Sequence, residues 1–192
     1  MNFLGHLALS GEDPLVITGN FMADAVKGRD LSRFKPGIER GIRLHRAIDV
    51  FTDAHHLTLS GRDRLRAHAG HYAGVVLDLF YDHLLAADWS EHVGGVLPAF
   101  AQRMYALLQD HRVHLPEPTQ RMLPYMVQGD WLSGYARIEG LARALDGLSR
   151  RAVNGAAMKG AERVLVDNYP AYRAEFGAFF AAVKEHTRSF RA

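Results

Sequence analysis

The stretch GIRLHRAIDVFTDAHH, Gly41 to His56, decides how the chain is read. On a helix each residue turns roughly 100°. Measured from His45, the apolar residues Ile38, Ile42, Leu44, Ile48 and Phe51 fall on an arc from roughly −120° to +60°. Glu39, Arg40, Arg43 and Arg46 fall on the opposite arc. The period is that of an amphipathic helix, yet His45 and Asp49 lie inside the apolar arc, one turn apart. Ionisable groups on a buried face are costly unless they are paired or bound to something.

The chain around this stretch has 192 residues, of which 48% are hydrophobic, enough to bury the core of one domain spanning 1–192. There is no cysteine, which removes disulfides and thiolate chemistry and suits a cytoplasmic setting. The opening MNFLGHLALSGEDP lacks a basic segment followed by an apolar core, so it reads as mature protein. No apolar run reaches the roughly 20 residues that span a bilayer. The formal net charge of +2 permits an acidic partner without demanding one. Basic residues do cluster: Arg29, Arg33, Lys35, Arg40, Arg43 and Arg46 in one region, Arg62, Arg64 and Arg66 in another. They read either as solvated surface or as a docking face for an acidic macromolecule or a phosphate. Neither nucleic acid nor a membrane is expected as a partner.

Helical period continues almost throughout. Helices are expected near 14–27, 37–53, 57–68, 72–88, 91–112, 118–132, 135–148 and 157–188, the last breaking at Asn168-Tyr169-Pro170 because proline suits only a first turn. No alternating strand pattern persists, so the expected architecture is a compact all-α bundle. Tyr169, Tyr172, Phe176, Phe179, Phe180 and Val183 recur at helical spacing and read as core.

The anomaly of the opening stretch returns twice. In PLVITGNFMADAV, Asn20 and Asp24 sit one turn apart, with Ile17 and Phe21 on the same face. In GVVLDLFYDHLL, Asp78 and Asp82 sit one turn apart on a helix that is apolar almost all round. Buried carboxylates need cations, protons or strong donors. Imidazoles and carboxylates gathered from several helices match a divalent ion such as Mn²⁺, Mg²⁺, Fe²⁺ or Zn²⁺. Such an ion polarises a phosphoryl oxygen and activates water, and arginines can neutralise phosphate charge. Asp–Arg pairs would answer the same need without a metal.

The segments MNFLGHLALS, GNFMAD, GIRLHRAIDVFTD and LDLFYDHLL, in this order and spacing, resemble the bacterial acyl carrier protein phosphodiesterase family from residue 1 to about residue 90. Further on, QGDWLSGYARIEGLARALDGLSRR is similar in detail. The resemblance implies a hydrolase that removes the 4′-phosphopantetheine arm from holo-acyl carrier protein, leaving apo-protein. It also implies a divalent metal, typically manganese, and a helical fold distantly like that of HD-domain phosphohydrolases. The sequence departs from the latter in having no His-Asp dipeptide, only Asp82-His83 and the spaced pair His45 and Asp49. On this reading Asp24, His45, Asp49, Asp78 and Asp82 form the metal environment, with His6 as an addition. Arg46 contacts phosphate, and His83 gives a proton to the departing serine oxygen. The competing readings are a different metal-dependent phosphohydrolase and a non-catalytic helical module that binds an acidic partner.

Overall fold

In the computed structural model, residues 1–190 are described, and the last two positions of the expected 1–192 domain lie outside them. Among the described residues there are helices and turns and no strand. The helices are α1 (Phe3–Ala8), α2 (Pro14–Met22), α3 (Pro36–Ala54), α4 (His56–Ala69), α5 (Ala73–Ala87), α6 (Trp89–His92), α7 (Leu97–Asp110), α8 (Glu117–Gln128), α9 (Trp131–Gly134), α10 (Ile138–Ser149), α11 (Glu162–Asp167) and α12 (Tyr169–His186). The all-α expectation is met.

The helix starts follow local chemistry. Asp13 caps α2 by accepting from the Leu15 and Val16 amides, with Pro14 in the first turn. Pro36 and Pro170 occupy the first turns of α3 and α12, where their missing N–H costs nothing. At the centre lies α5, buried on nearly every side from Val76 to Ala86. On α12, the stripe Tyr172, Phe176, Phe179, Phe180 and Val183 is buried core, as its spacing suggests.

Four boundaries differ from the periodic reading. The expected helix 14–27 ends at Met22 and tightens into a 3₁₀ turn, Ala23–Ala25. The segment 91–112 is interrupted after His92, where Gly94 and Gly95 adopt φ of +90° and +68°, a region glycine enters without strain. The segment 118–132 stops at Gln128, and the chain turns at Asp130, φ +41°, before α9. Residues 157–188 form a 3₁₀ turn, then α11, then α12, with the break at Asn168 where it was expected. The short α1 carries too few turns to show a period, and the sequence reading assigned it no helix.

One packing contact governs the site. Helices α2 and α3 cross with their backbones touching at Gly19 and Gly41. A Cβ on Gly19 would stand 2.1 Å from the Ile38 carbonyl oxygen, and one on Gly41 would stand 2.2 Å from that of Val16. No side-chain shift relieves a clash with backbone. Alanine is ordinarily worth up to about 1 kcal/mol more than glycine in a helix. Here the sign should reverse: Gly19→Ala and Gly41→Ala should each destabilise by about 2 kcal/mol or more. Gly147 on α10 has open space around its would-be Cβ, so Gly147→Ala should leave stability unchanged or raise it. Urea melts of the three variants check the contrast.

Candidate metal centre and its cavity

The close crossing of α2 and α3 brings Asn20 against His45. The His45 Nδ1 lies 2.9 Å from the Asn20 backbone oxygen and 3.1 Å from its side-chain oxygen. A carbonyl only accepts, so Nδ1 carries the proton. The Asn20 amide nitrogen donates to the His6 backbone oxygen and to Ser10 Oγ, both at 2.9 Å. That fixes the orientation of the amide and points its oxygen at His6 Nδ1, 3.0 Å away. Both imidazoles therefore donate through Nδ1 to one residue, and both turn Nε2 the same way. The rings stack with centroids 3.9 Å apart. Asn20 is fully buried, and His6 and His45 nearly so.

Asp49 faces the two Nε2 atoms. One of its oxygens lies 3.2 Å from His6 Nε2 and the other 3.1 Å from His45 Nε2. The ligand atoms of His6, His45 and Asp49 all lie within 4.8 Å of one another, a group that could hold a metal ion. The exposed carboxylate of Asp24 reaches His45 Nε2 at 3.2 Å from the 3₁₀ turn after α2. The donor set fits a divalent cation. Nε2 atoms and a carboxylate converge, and each ring is oriented from behind by a hydrogen bond on its other nitrogen, as metal-binding histidines usually are.

Electrostatics make His45, set between Asp24 and Asp49, a proton trap when no cation is bound. Burial alone would lower the His45 pKa, but hydrogen bonds to Asp24 and Asp49 outweigh it and raise it to about 9. Burial likewise pushes Asp49 up, and hydrogen bonds from His45 and His6 overcome it, holding the carboxyl well below its usual range. Asp24 is lowered chiefly by its bond to His45. His6 is lowered, because its burial exceeds the help it gets from Asp49.

The other predicted site residues are placed differently. Asp82, fully buried, accepts backbone N–H groups from Asn2 (3.2 Å), Leu4 (2.8 Å) and Gly5 (3.0 Å). It thus satisfies the orphan donors at the start of α1 and fixes the helix that carries His6. Burial pushes its pKa up to about 7, against the pull of the Met1 amino group and those donors. Asp78 pairs with the Met1 amino group at 3.0 Å and lines the cavity described below. Neither belongs to the three-residue cluster. His83 is buried away from it, with Nδ1 2.8 Å from the Tyr135 carbonyl oxygen and Nε2 3.2 Å from the Tyr169 hydroxyl. Arg46 donates to the carbonyls of Val26 (3.2 Å) and Gly28 (2.8 Å), bracing the loop after Asp24.

The cluster opens on a cavity of about 780 Å³. Asp24, His45, Asp49, Thr52, Asp53 and Asp78 are among the residues that line it. Val75, Leu79, Met122, Trp131 and Leu148 make apolar surface, and Arg143 and Arg151 on the α10 side bring positive charge to the same space. Arg143 has no hydrogen bond or ion pair among the described residues. These two arginines were missed in the sequence. They sit on an ordinary amphipathic helix and its end, where a cation reads as solvated surface. The basic clusters that were noticed are largely neutralised: Arg40 pairs with Asp13, Arg43 with Glu39, Arg62 with Asp53, Arg64 with Glu175 and Arg66 with Asp63.

The helical fold places a two-histidine, one-carboxylate group that could hold a metal ion beside a cavity, an arrangement of the kind found in helical hydrolases. Comparison narrows the class. The profile of the family described as acyl carrier protein phosphodiesterase matches residues 1–183, and the chain belongs to that family. It is 31% identical to the acyl carrier protein phosphodiesterase of Photorhabdus laumondii, over 96% of this chain and 94% of that one. It is 32% identical to the protein of that name from Yersinia pestis, over 94% of each chain. With the one from Escherichia coli O6:H1 it shares 29% identity over 96% of each. No solved structure matches the chain, so the likeness to HD-domain phosphohydrolases stays an expectation of the sequence.

Two outcomes follow for the centre. Asn20→Ala should weaken Mn²⁺ binding roughly 10- to 100-fold while the helical circular dichroism is kept, since a group that hydrogen-bonds the far nitrogen of a ligand imidazole carries that much; isothermal titration checks it. The second concerns pH. The His45 pKa is about 9 in the folded protein and near 6.5 unfolded. Its stabilising contribution is thus fully present below about pH 6.5 and is lost as pH rises to about 9, a loss of about 3 kcal/mol. Metal-free protein should lose thermal stability across that window. Added Mn²⁺, which replaces the proton, should remove most of the loss. A flat pH profile of metal-free protein would contradict the proton trap.

Proposed function

We propose that the protein is a metal-dependent phosphodiesterase that removes the 4′-phosphopantetheine arm from holo-acyl carrier protein and leaves apo-carrier. The observation that carries this reading is the cavity itself. His45 and Asp49 of the cluster line the same cavity as Arg143 and Arg151, together with apolar residues such as Met122, Trp131 and Leu148. The arm is a flexible chain of amides ending in a thiol and attached through a phosphodiester. It asks for that combination of phosphate recognition and room.

His6, His45 and Asp49 would hold the ion, with Asp24 within reach of it. Imidazole and carboxylate together suit a first-row divalent ion, and the family resemblance points to Mn²⁺. A divalent ion there supplies Lewis-acid polarisation of the phosphoryl oxygen and activation of water. The protein's own contributions are separate from that. Asn20 fixes the two rings. Arg143 and Arg151 offset phosphate charge, and a guanidinium does so with paired donors. The apolar lining excludes water from the arm. In the overall reaction water adds to phosphorus, the phosphorus–oxygen bond to the carrier serine breaks, and the serine oxygen gains a proton. For docking of an acidic carrier, Lys27, Arg29 and Arg33 on the loop after Asp24 are better placed than the ion-paired arginines of α3 and α4.

Holo-acyl carrier protein incubated with the protein and Mn²⁺ should lose the mass of the arm, and should keep it when a chelator is present. In ¹⁸O-water the label should enter phosphopantetheine and not the carrier. Arg143→Ala should lower kcat/KM at least 10-fold, the worth of one charged hydrogen bond. Charge reversal at Arg29 should make turnover fall less steeply with salt, because long-range attraction is screened within about 8 Å at physiological ionic strength. A carrier that keeps its arm, or a trapped phosphorylated form of the protein, would overturn the reading.

A further inference from the structure

Beside the cavity lies a second space of about 470 Å³, lined by Arg121, Met122, Tyr125, Trp131, Gly147 and Arg151. Met122, Trp131, Gly147 and Arg151 line the cavity as well, so the two spaces adjoin. The side chains of the second space reach solvent: Tyr125 is 68% exposed, and Met122 and Trp131 are half-buried. Large apolar groups gathered at the surface beside a cavity mark a place where a ligand packs. Gly147 is the unexpected member. It lies inside α10, where glycine costs about 1 kcal/mol relative to alanine. The backbone does not ask for glycine there, since Gly147 is not among the residues with positive φ. Packing does not ask for it either, since nothing lies within 4 Å of the Cβ it lacks. Gly140 on the same helix is different, because a Cβ there would overlap the Gly134 carbonyl oxygen. What Gly147 supplies is room, at a position that both spaces share.

We propose that the space lined by Met122, Tyr125, Trp131 and Gly147 is the subsite for the thiol-bearing end of the arm, and that Gly147 is a specificity-determining residue because its missing side chain leaves the way open from the cavity into that subsite. The inference rests on the functional reading above and deepens it by fixing which way the arm lies. Polarity supports the direction. The turn after α2, together with α3 and α5, lines the cavity with Asp24, His45, Asp49 and Asp78, while α8, α9 and α10 line it with Met122, Trp131 and Leu148. The second space has no carboxylate and no imidazole in its lining. The arm changes in the same order: a phosphodiester at the carrier end, then a hydroxyl and two amides, then methylenes and a thiol. The arginines fit this order as well. Arg143 lines the cavity and not the second space, so it stays with the phosphate. Arg121 is held by Glu117. Arg151 folds back on Gly147, with its Nε donating to the Gly147 carbonyl oxygen at 3.2 Å.

Two variants test the subsite from different sides. Gly147→Phe fills the space that the missing side chain leaves. Tyr125→Asp puts a charge on an exposed position that lines the second space and not the cavity, where it does not endanger folding. The probes, each with Mn²⁺ added, are 4′-phosphopantetheine and inorganic phosphate by titration, and holo-carrier and bis(p-nitrophenyl) phosphate as substrates. Wild-type protein should bind phosphopantetheine roughly 10-fold or more tightly than phosphate, the worth of filling an apolar pocket. Both variants should lose most of that advantage while still binding phosphate. Gly147→Phe should lower kcat/KM for holo-carrier roughly 10-fold more than for the small diester, which has no arm. Wild-type protein that binds phosphopantetheine no better than phosphate would overturn the subsite, as would an advantage kept in both variants. Variants that keep the advantage but raise KM for the carrier would make this space a docking surface for the carrier protein instead. If Gly147→Phe does not fold, Tyr125→Asp decides alone. A wild-type protein that prefers phosphopantetheine yet leaves the carrier intact would sink the functional reading and leave the subsite standing.

Discussion

One buried amide organises the site. Asn20 takes hydrogen bonds from the Nδ1 atoms of His6 and His45 on its oxygen side and gives its own to the His6 backbone and Ser10. Each of these bonds constrains the others. The two acceptors fix which way the amide points, the amide fixes which nitrogen of each ring carries a proton, and the rings are left with Nε2 facing Asp49. In a low-dielectric setting a fully satisfied polar network of this kind is rigid, and a partly satisfied one would be costly. A cation would find its ligands already aimed.

The rest of the fold serves to bring that amide into place. Asn20 can reach His45 because its neighbour Gly19 lets α2 touch α3 at the backbone. His6 arrives on α1, a helix of six residues, too short to hold itself together. Its first turn is held instead by the Asp82 carboxylate, presented from the interior of α5. So an acid that never touches the cluster decides whether one of its histidines is there. The cost of burying Asp82 shows in its raised pKa, and the three N–H groups it satisfies offset that cost. Arg143 and Arg151, which line the same cavity, come from a separate part of the chain.

The fold class and the heart of the site were legible because both rest on period. A 3.6-residue repeat runs through the sequence, and His45 and Asp49 break it in a way that burial makes expensive. Asp82 breaks it in the same way, yet its partners are backbone amides, which carry no residue identity that a sequence could reveal. Ligation and capping look alike at that level. His6 sits on a helix with no room for a period and was reached through resemblance. Arg46 reads as a phosphate contact because it stands beside the His45 face, and its acceptors are the carbonyls of Val26 and Gly28. The helix boundaries that failed, at Gly94-Gly95 and Asp130, turn on positive φ, a local choice that hydrophobic period does not encode.

If the Nε2 atoms of His6 and His45 and the Asp49 carboxylate, aimed by Asn20, form one cation site, an anomalous difference map shows it, from crystals grown with Mn²⁺ and recorded near the manganese absorption edge. A single strong peak is expected, bonded to His6 Nε2, His45 Nε2 and Asp49, beside the cavity that Arg143 lines. A peak bonded instead to Asp78 and Asp82, or crystals of a Mn²⁺-dependent active protein with no peak at the two histidines, would contradict it.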